Sequence, residues 1–205
     1  MTTTVTDTHS RTLHVPYITA WSAEQTEPHD LVALPGNTGI GYRDERPRDR
    51  DRDGVLWRRV PLARGQGKPL FGVVHSPRQR RAMRKLLCQV CAHPADTDPD
   101  GTLFALPDNR TDWADWPEGM ACTEPPVCAD CLTLSTRLCP ALRRGHAVVR
   151  VRNAPIVGVH GALHVASPNG MRAWKPTIAT FDDPALSWVL ASHLVRELRD
   201  VTLQR

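Results

Sequence analysis

RRAMRKLLCQVCAHPAD, Arg80 to Asp96, runs a stretch of positive charge into a Cys-x-x-Cys knuckle, and a second knuckle, CADC, follows at Cys128 to Cys131. A two-residue gap lets both sulfurs of a knuckle face one ion, and two knuckles complete the four-sulfur tetrahedron that structural Zn2+ prefers. The residues therefore predict one structural Zn2+ on Cys88, Cys91, Cys128 and Cys131. A redox site of the thioredoxin kind uses one Cys-x-x-Cys after a strand and leaves the second pair unexplained. An iron-sulfur cluster on Cys122, Cys128, Cys131 and Cys139 leaves the first pair idle. Cys122 and Cys139 read as small buried residues or neighbours of the site, with either of them, or His93, as a substitute for one of the four ligands.

The surroundings turn the knuckles into a fold prediction. GTLFAL, Gly101 to Leu106, lies between Asp-Gly and Pro-Asp turns and predicts a hairpin strand. Cys128 opens CADCLTLSTRLCPAL, in which Leu132, Leu134, Leu138 and Leu142 recur at roughly helical spacing. Knuckle, hairpin and a helix with a ligand pair in its first turn resemble a treble clef, and the helix N-terminus favours thiolate charge. Further on, Ala147 to Arg152 and Ile156 to Ala166 predict strands around an Asn-Ala-Pro break. Asp183 and Pro184 then start a stripe of Leu186, Val189, Leu190, His193, Leu194, Leu198 and Val201 that predicts a closing helix. The expected fold is α+β: a treble-clef-like zinc module, residues 88–139, embedded in a small mixed sheet with a C-terminal helix. Residues 1–12 are expected to be a disordered tail and 13–205 a single zinc-stabilised domain.

Length and composition are compatible with that. A chain of 205 residues with 40% hydrophobic and 23% charged residues has the usage of one well-buried domain, and 18 prolines with 13 glycines predict many loops. No apolar run reaches the roughly 18 residues that span a bilayer, and the polar first dozen residues lack the pattern of a signal peptide. These features predict a cytoplasmic protein, where cysteines stay reduced and ligate metal rather than form disulfides.

Charge is more informative by position than in sum. Arg78, Arg80, Arg81, Arg84 and Lys85 follow a Ser76-Pro77 helix start and share much of one helix surface, while Ala92 to Pro126 holds eight acids against Arg110 alone. A cationic helix face predicts salt-dependent contact with the phosphates of nucleic acid, DNA before RNA. The bland alternative is neutralisation by the protein's own acidic segment, and a protein partner is the second candidate ligand. Trp113 and Trp116 can stack on bases but, in an acidic loop, are expected to pack on the module. RDERPRDRDRDG, Arg43 to Gly54, alternates sign and is read as a solvated loop; Asp49, Asp51 and Asp53 lack the later glutamate of a calcium loop. VLWRRV and LFGVV are expected strands.

The treble clef with a basic approach helix resembles the HNH-type nucleases, whose zinc-stabilised forms carry paired knuckles. That resemblance implies a histidine base on the hairpin strand, yet Ala92 to Val127 offers only His93. Scaffold without catalysis is the reading; a diverged nuclease, or chemistry on a sheet bearing His146, His160 and His164, is the opposing one. SPRQRRAMRKLLCQVC, ACTEPPVCADC and LCPALRRGHAVVRVR together are similar to a family of actinobacterial, chiefly streptomycete, proteins. That likeness implies one folded unit in the cytoplasm and assigns no residue beyond the cysteines.

Overall fold

Short paired strands open the chain, as its scattered prolines and glycines require. The computed structural model describes residues 3–6, 12–26, 29–168 and 170–204. β1 (Thr3–Thr6) pairs antiparallel with β2 (Thr12–Val15); the rest of the expected N-terminal tail lies outside the described residues. β3 (Thr19–Trp21), β4 (Leu31–Ala33) and β5 (Ile40–Tyr42) follow, β4 pairing with β5. β6 (Pro69–Val74) returns to pair with β3. VLWRRV is not a strand of its own: Leu56 bridges Arg50, and Trp57 lies parallel beside Ala191.

α1 (Ser76–Lys85) is the helix that Ser76-Pro77 announces, shifted by one position, with His75 as N-cap. It ends where Leu86 turns left-handed at φ 48°. Its inner face is fully buried at Gln79, Ala82 and Met83. Gln79 behaves as a piece of strand: its amide oxygen accepts from Leu194 N–H (3.0 Å), while its Nε2 donates to Leu194 O (2.9 Å) and Thr123 O (2.8 Å). Two backbone groups that would otherwise be buried unpaired are thereby satisfied.

β7 (Thr97–Asp98) and β8 (Gly101–Pro107) form the expected hairpin, followed by β9 (Ala121–Cys122), α2 (Ala129–Leu138) and α3 (Pro140–Arg144). At the hairpin turn Gly101 has φ 115° and a Cβ there would run into the Val151 backbone, so glycine is required. β10 (His146–Asn153), β11 (Ile156–Ser167), β12 (Gly170–Thr180), β13 (Val189–Glu197) and β14 (Arg199–Leu203) complete two four-stranded sheets. Their orders are β14-β10-β8-β7 and β12-β11-β13-β9. The chain changes sheet four times, from β8 to β9, β9 to β10, β10 to β11 and β13 to β14, and the last two steps lie side by side, Glu197 N–H donating to Pro155 O. Arg196 ties the junction down, donating to Ala154 O and Met83 O.

The C-terminal helix is corrected. Pro184–Trp188 is a single 3-10 turn capped by Asp183, after which the chain is strand to Leu203. The helical spacing has a physical source in the strand. The register of β13 against β11 slips between the pairs His160–His193 and Gly161–Ala191, leaving Ser192 as an extra residue. Inward positions Val189, Ala191 and Leu194 are thus spaced by two and then three, and both faces of β13 are buried, one against Val159 and Met83 and the other, through Leu190, against Ile40 and Tyr42. A bulged strand buried on both faces writes an i, i+3, i+4 pattern like that of a helix. The molecule is therefore a mixed α/β protein, mostly strands in small sheets with few helices. Among the described residues, no helix is long and apolar enough to cross a membrane.

Candidate metal centre and its surroundings

The first knuckle is shaped by the turn that ends α1. Cys88 N–H donates to His93 O (2.8 Å), Ala92 N–H closes back on Cys88 O (2.9 Å), and Ala92 sits at φ 63°. Val90 N–H points at Cys88 Sγ, 3.4 Å away, a hydrogen bond that favours a charged sulfur. The second pair comes from α2, with Cys128 as N-cap and Cys131 in the first turn. Backbone bonds lace the two together: Gln89 to Pro126 O, Asp96 to Val127 O and Val127 to Leu103 O. Leu103 and Ala105 of β8, with Val90 and Val127, wrap the sulfurs in apolar side chains.

The four sulfurs of Cys88, Cys91, Cys128 and Cys131 lie within 4.8 Å of one another, and Cys91 Sγ is 3.7 Å from Cys128 Sγ. Sulfurs 2.3 Å from a central tetrahedral ion stand about 3.8 Å apart, whereas a disulfide would bring two of them to about 2.05 Å. All six cysteines are free thiols. The four can therefore hold a metal ion. As thiols they do not ionise together. Burial raises Cys88 to about 11 and also pushes Cys131 up, helped by a hydrogen bond with Cys128. Cys91 is pushed up by burial too, but the His93 amide and bonds from Cys88, Cys128 and Cys131 bring it below the ordinary thiol value. A bound cation is what allows four such thiolates to coexist, with release of their protons. Cys122 is fully buried on β9 against Glu124, Cys139 joins α2 to α3, and neither belongs to the cluster.

The cationic face of α1 comes apart in three dimensions. Arg78 is buried and forks onto the Glu24 carboxylate at 2.7 and 2.6 Å, donating also to Thr19 O at 2.7 Å. It is a structural ion pair, and this corrects its place among the phosphate contacts. Arg80 stacks 4.1 Å over the Trp57 ring, and burial lowers it to about 10. Arg84 pairs with Asp51 at 2.9 Å. Arg81 and Lys85 remain exposed, Arg81 reaching Tyr17 Oη at 3.4 Å. Among the described residues no α1 cation pairs with the acidic segment. That segment is held by β10 instead: Arg150 meets Asp96 (2.5 Å) and Asp98 (3.3 Å), and Arg152 meets Asp100 (2.8 Å).

The alternating-charge loop is largely exposed, as its sequence reads, but its central carboxylates are committed within the fold. Asp49 is buried and receives both the Arg59 fork (3.0 and 2.6 Å) and Arg46 N–H (2.7 Å). Asp51 accepts from Trp57 Nε1, Val55 N–H and Asp53 N–H. These carboxylates already have partners, which removes the calcium-loop alternative. Trp116 packs in the core of the β14-β10-β8-β7 sheet beside Phe104, while Trp113 is exposed and donates to Glu118 O.

The three histidines do not gather. His146 is on β10, bonded to Leu142 O. His160 faces His193, rings 5.6 Å apart. His164 alone lines a cleft, in company with residues the spacing argument passed over: Thr26, His29, Arg58 and Ser192. No local pattern in the sequence could have joined segments so far apart. Comparison of the chain with family models, with curated proteins and with solved structures gave no match.

Proposed function

We propose that Cys88, Cys91, Cys128 and Cys131 bind one structural Zn2+ in a treble-clef-like module, and that the protein is a non-catalytic binding protein with nucleic acid as its ligand. The observation that carries the proposal is the closure of the site by four thiols in an apolar shell. All four positions of a tetrahedral ion are taken by protein, so the metal would stabilise the fold and leave no open position for a reaction. Hairpin strand β8 carries no histidine, which argues against nuclease chemistry on this scaffold. The proposed phosphate contacts are the outer residues of α1, Arg81 and Lys85, one helical turn apart and exposed, with Arg84 beside them.

Titration of the zinc-loaded protein with DNA and RNA duplexes and single strands over a salt series tests this. Affinity should fall with rising salt, and the Arg81→Glu/Lys85→Glu variant should lose at least about tenfold. Absence of binding to a folded protein at low salt would contradict it. A protein partner is the second reading, favoured by Phe71, Val73 and Val74, which stand exposed together on β6.

A further inference from the structure

Between the alternating-charge loop and the start of α1 lies a cleft of about 600 Å³, and it runs into a second of about 410 Å³. Thr26, His29 and Arg58 line both, so the two are arms of one groove. Both volumes lie in the range of small-molecule sites.

The first arm is rich in arginine, and the arginines differ in how their charge is met. Arg59 is answered by Asp44 and Asp49, and Arg46 by Asp44. Arg48, Arg58 and Arg80 have no carboxylate in ion-pair distance among the described residues. Arg58 is held in place by Thr26 Oγ1, which accepts from its Nε (3.1 Å) and Nη2 (2.5 Å), and its Nη1 takes no partner there. Arg80 is fixed with its flat face on Trp57, and its Nε is buried without a hydrogen bond. A guanidinium with one face on an aromatic ring keeps its edge for a ligand, and a desolvated charge whose nearby carboxylate, Asp51, is already paired with Arg84 is costly. An anion seated between these forks would meet both conditions.

The second arm has other chemistry. Ala162, Ala173 and Leu190 make apolar walls, with His164 and Ser192 as polar points. His164 Nδ1 is engaged with Ala162 O at 2.9 Å, so Nδ1 carries the proton and Nε2 is an acceptor. His29 lies between the arms, edge-on to Tyr42. Burial, with Arg58, Arg59 and His164 nearby, lowers its pKa, so at neutral pH it is an uncharged donor and acceptor.

We propose that this groove is a binding site for a small organic phosphate: the phosphate between Arg58, Arg80 and Arg48, and an apolar or planar body in the second arm against Leu190 and His164. The site is independent of the outer face of α1, and neither stands or falls with the other.

Calorimetric titration of the zinc-loaded full chain with phenyl phosphate and with inorganic phosphate, at low salt in a phosphate-free buffer, tests the assignment. Phenyl phosphate should bind one to one and at least about tenfold more tightly than inorganic phosphate, because only it reaches the second arm. Arg58→Met should weaken it by at least about tenfold, and Arg58→Lys less. Ala173→Glu, which places a carboxylate in the exposed wall of the second arm, should remove the preference over inorganic phosphate. Arg81→Glu/Lys85→Glu should leave phenyl phosphate binding unchanged. Absence of binding by the folded protein at millimolar phenyl phosphate would overturn the proposal. So would equal affinity for the two probes, or a loss on reversing the α1 charges without a loss in Arg58→Met.

Discussion

Replacing Arg78 by methionine should damage the fold rather than a binding surface. Glu24 is buried and receives four hydrogen bonds: two from the Arg78 fork, one from Trp21 N–H (2.9 Å) and one from Ala63 N–H (3.1 Å). Burial pushes the Glu24 carboxyl up, but the Arg78 and Trp21 bonds, with the charges of His75 and Arg78, bring it below the ordinary glutamate value. The carboxylate is thus the form the fold selects, and its contribution is present above about pH 4.5 and lost as the pH falls through the lower folded value. Removing Arg78 leaves that carboxylate buried with two amide donors and without its paired charge, His75 at 3.5 Å and the more distant Arg64 being its remaining positive neighbours, and also strips a donor from Thr19 O. Breaking a buried pair from one side costs about 3–5 kcal/mol. In a chain of this length that lowers Tm by about 10 °C. Urea denaturation at neutral pH and fixed zinc reads the loss directly. Glu24→Gln/Arg78→Met, which removes both charges, should be more stable than Arg78→Met by about 2 kcal/mol. An Arg78→Met protein within about 0.5 kcal/mol of the parent, the range of ordinary surface substitutions, would refute the structural role.

Two further outcomes follow from buried groups. Burial, with His160 and Arg58 nearby, lowers His193 to about 4, so the fold selects its neutral form. Stability from this group is full above the unfolded value of about 6.5 and declines as the pH falls toward 4, by up to about 3 kcal/mol. His193→Gln should flatten a plot of unfolding free energy against pH over that interval; an unchanged slope would count against a half-buried, neutral His193. Gln79→Leu should cost about 2–4 kcal/mol in urea denaturation, because Leu194 loses the partner of both its N–H and its C=O. A cost below about 1 kcal/mol would mean that those groups find other partners.

The sequence was most legible where chemistry is local. Cys-x-x-Cys at two places, the Gly101 hairpin and the Cys128 helix start each depend on neighbours within a few residues, and each stands where spacing put it. The strand of LFGVV and those on either side of Asn153-Ala154-Pro155 were legible for the same reason. What failed had non-local causes. Val189 to Val201 reads as a helix because a bulge at Ser192 and burial on both faces distort the period of two, and both depend on β11 and α1. The five cations of α1 read as one face because helical spacing says nothing of what packs on the helix. Glu24 lies 54 positions from Arg78, and Trp57, beneath Arg80, comes from another loop. The groove of Arg48, Arg58, His29 and His164 was invisible for the same reason, as its walls come from seven separate segments.

Metal content is the most direct test of the central claim. Purified protein should carry one zinc per chain, and Cys88→Ser or Cys128→Ser, one from each knuckle, should lose the metal and the cooperative unfolding transition together. Chelation of the parent should do the same, since binding energy at such a site is folding energy. A chain that unfolds at the same denaturant concentration with and without metal, or that keeps its zinc in both cysteine variants, would contradict the four-thiol site.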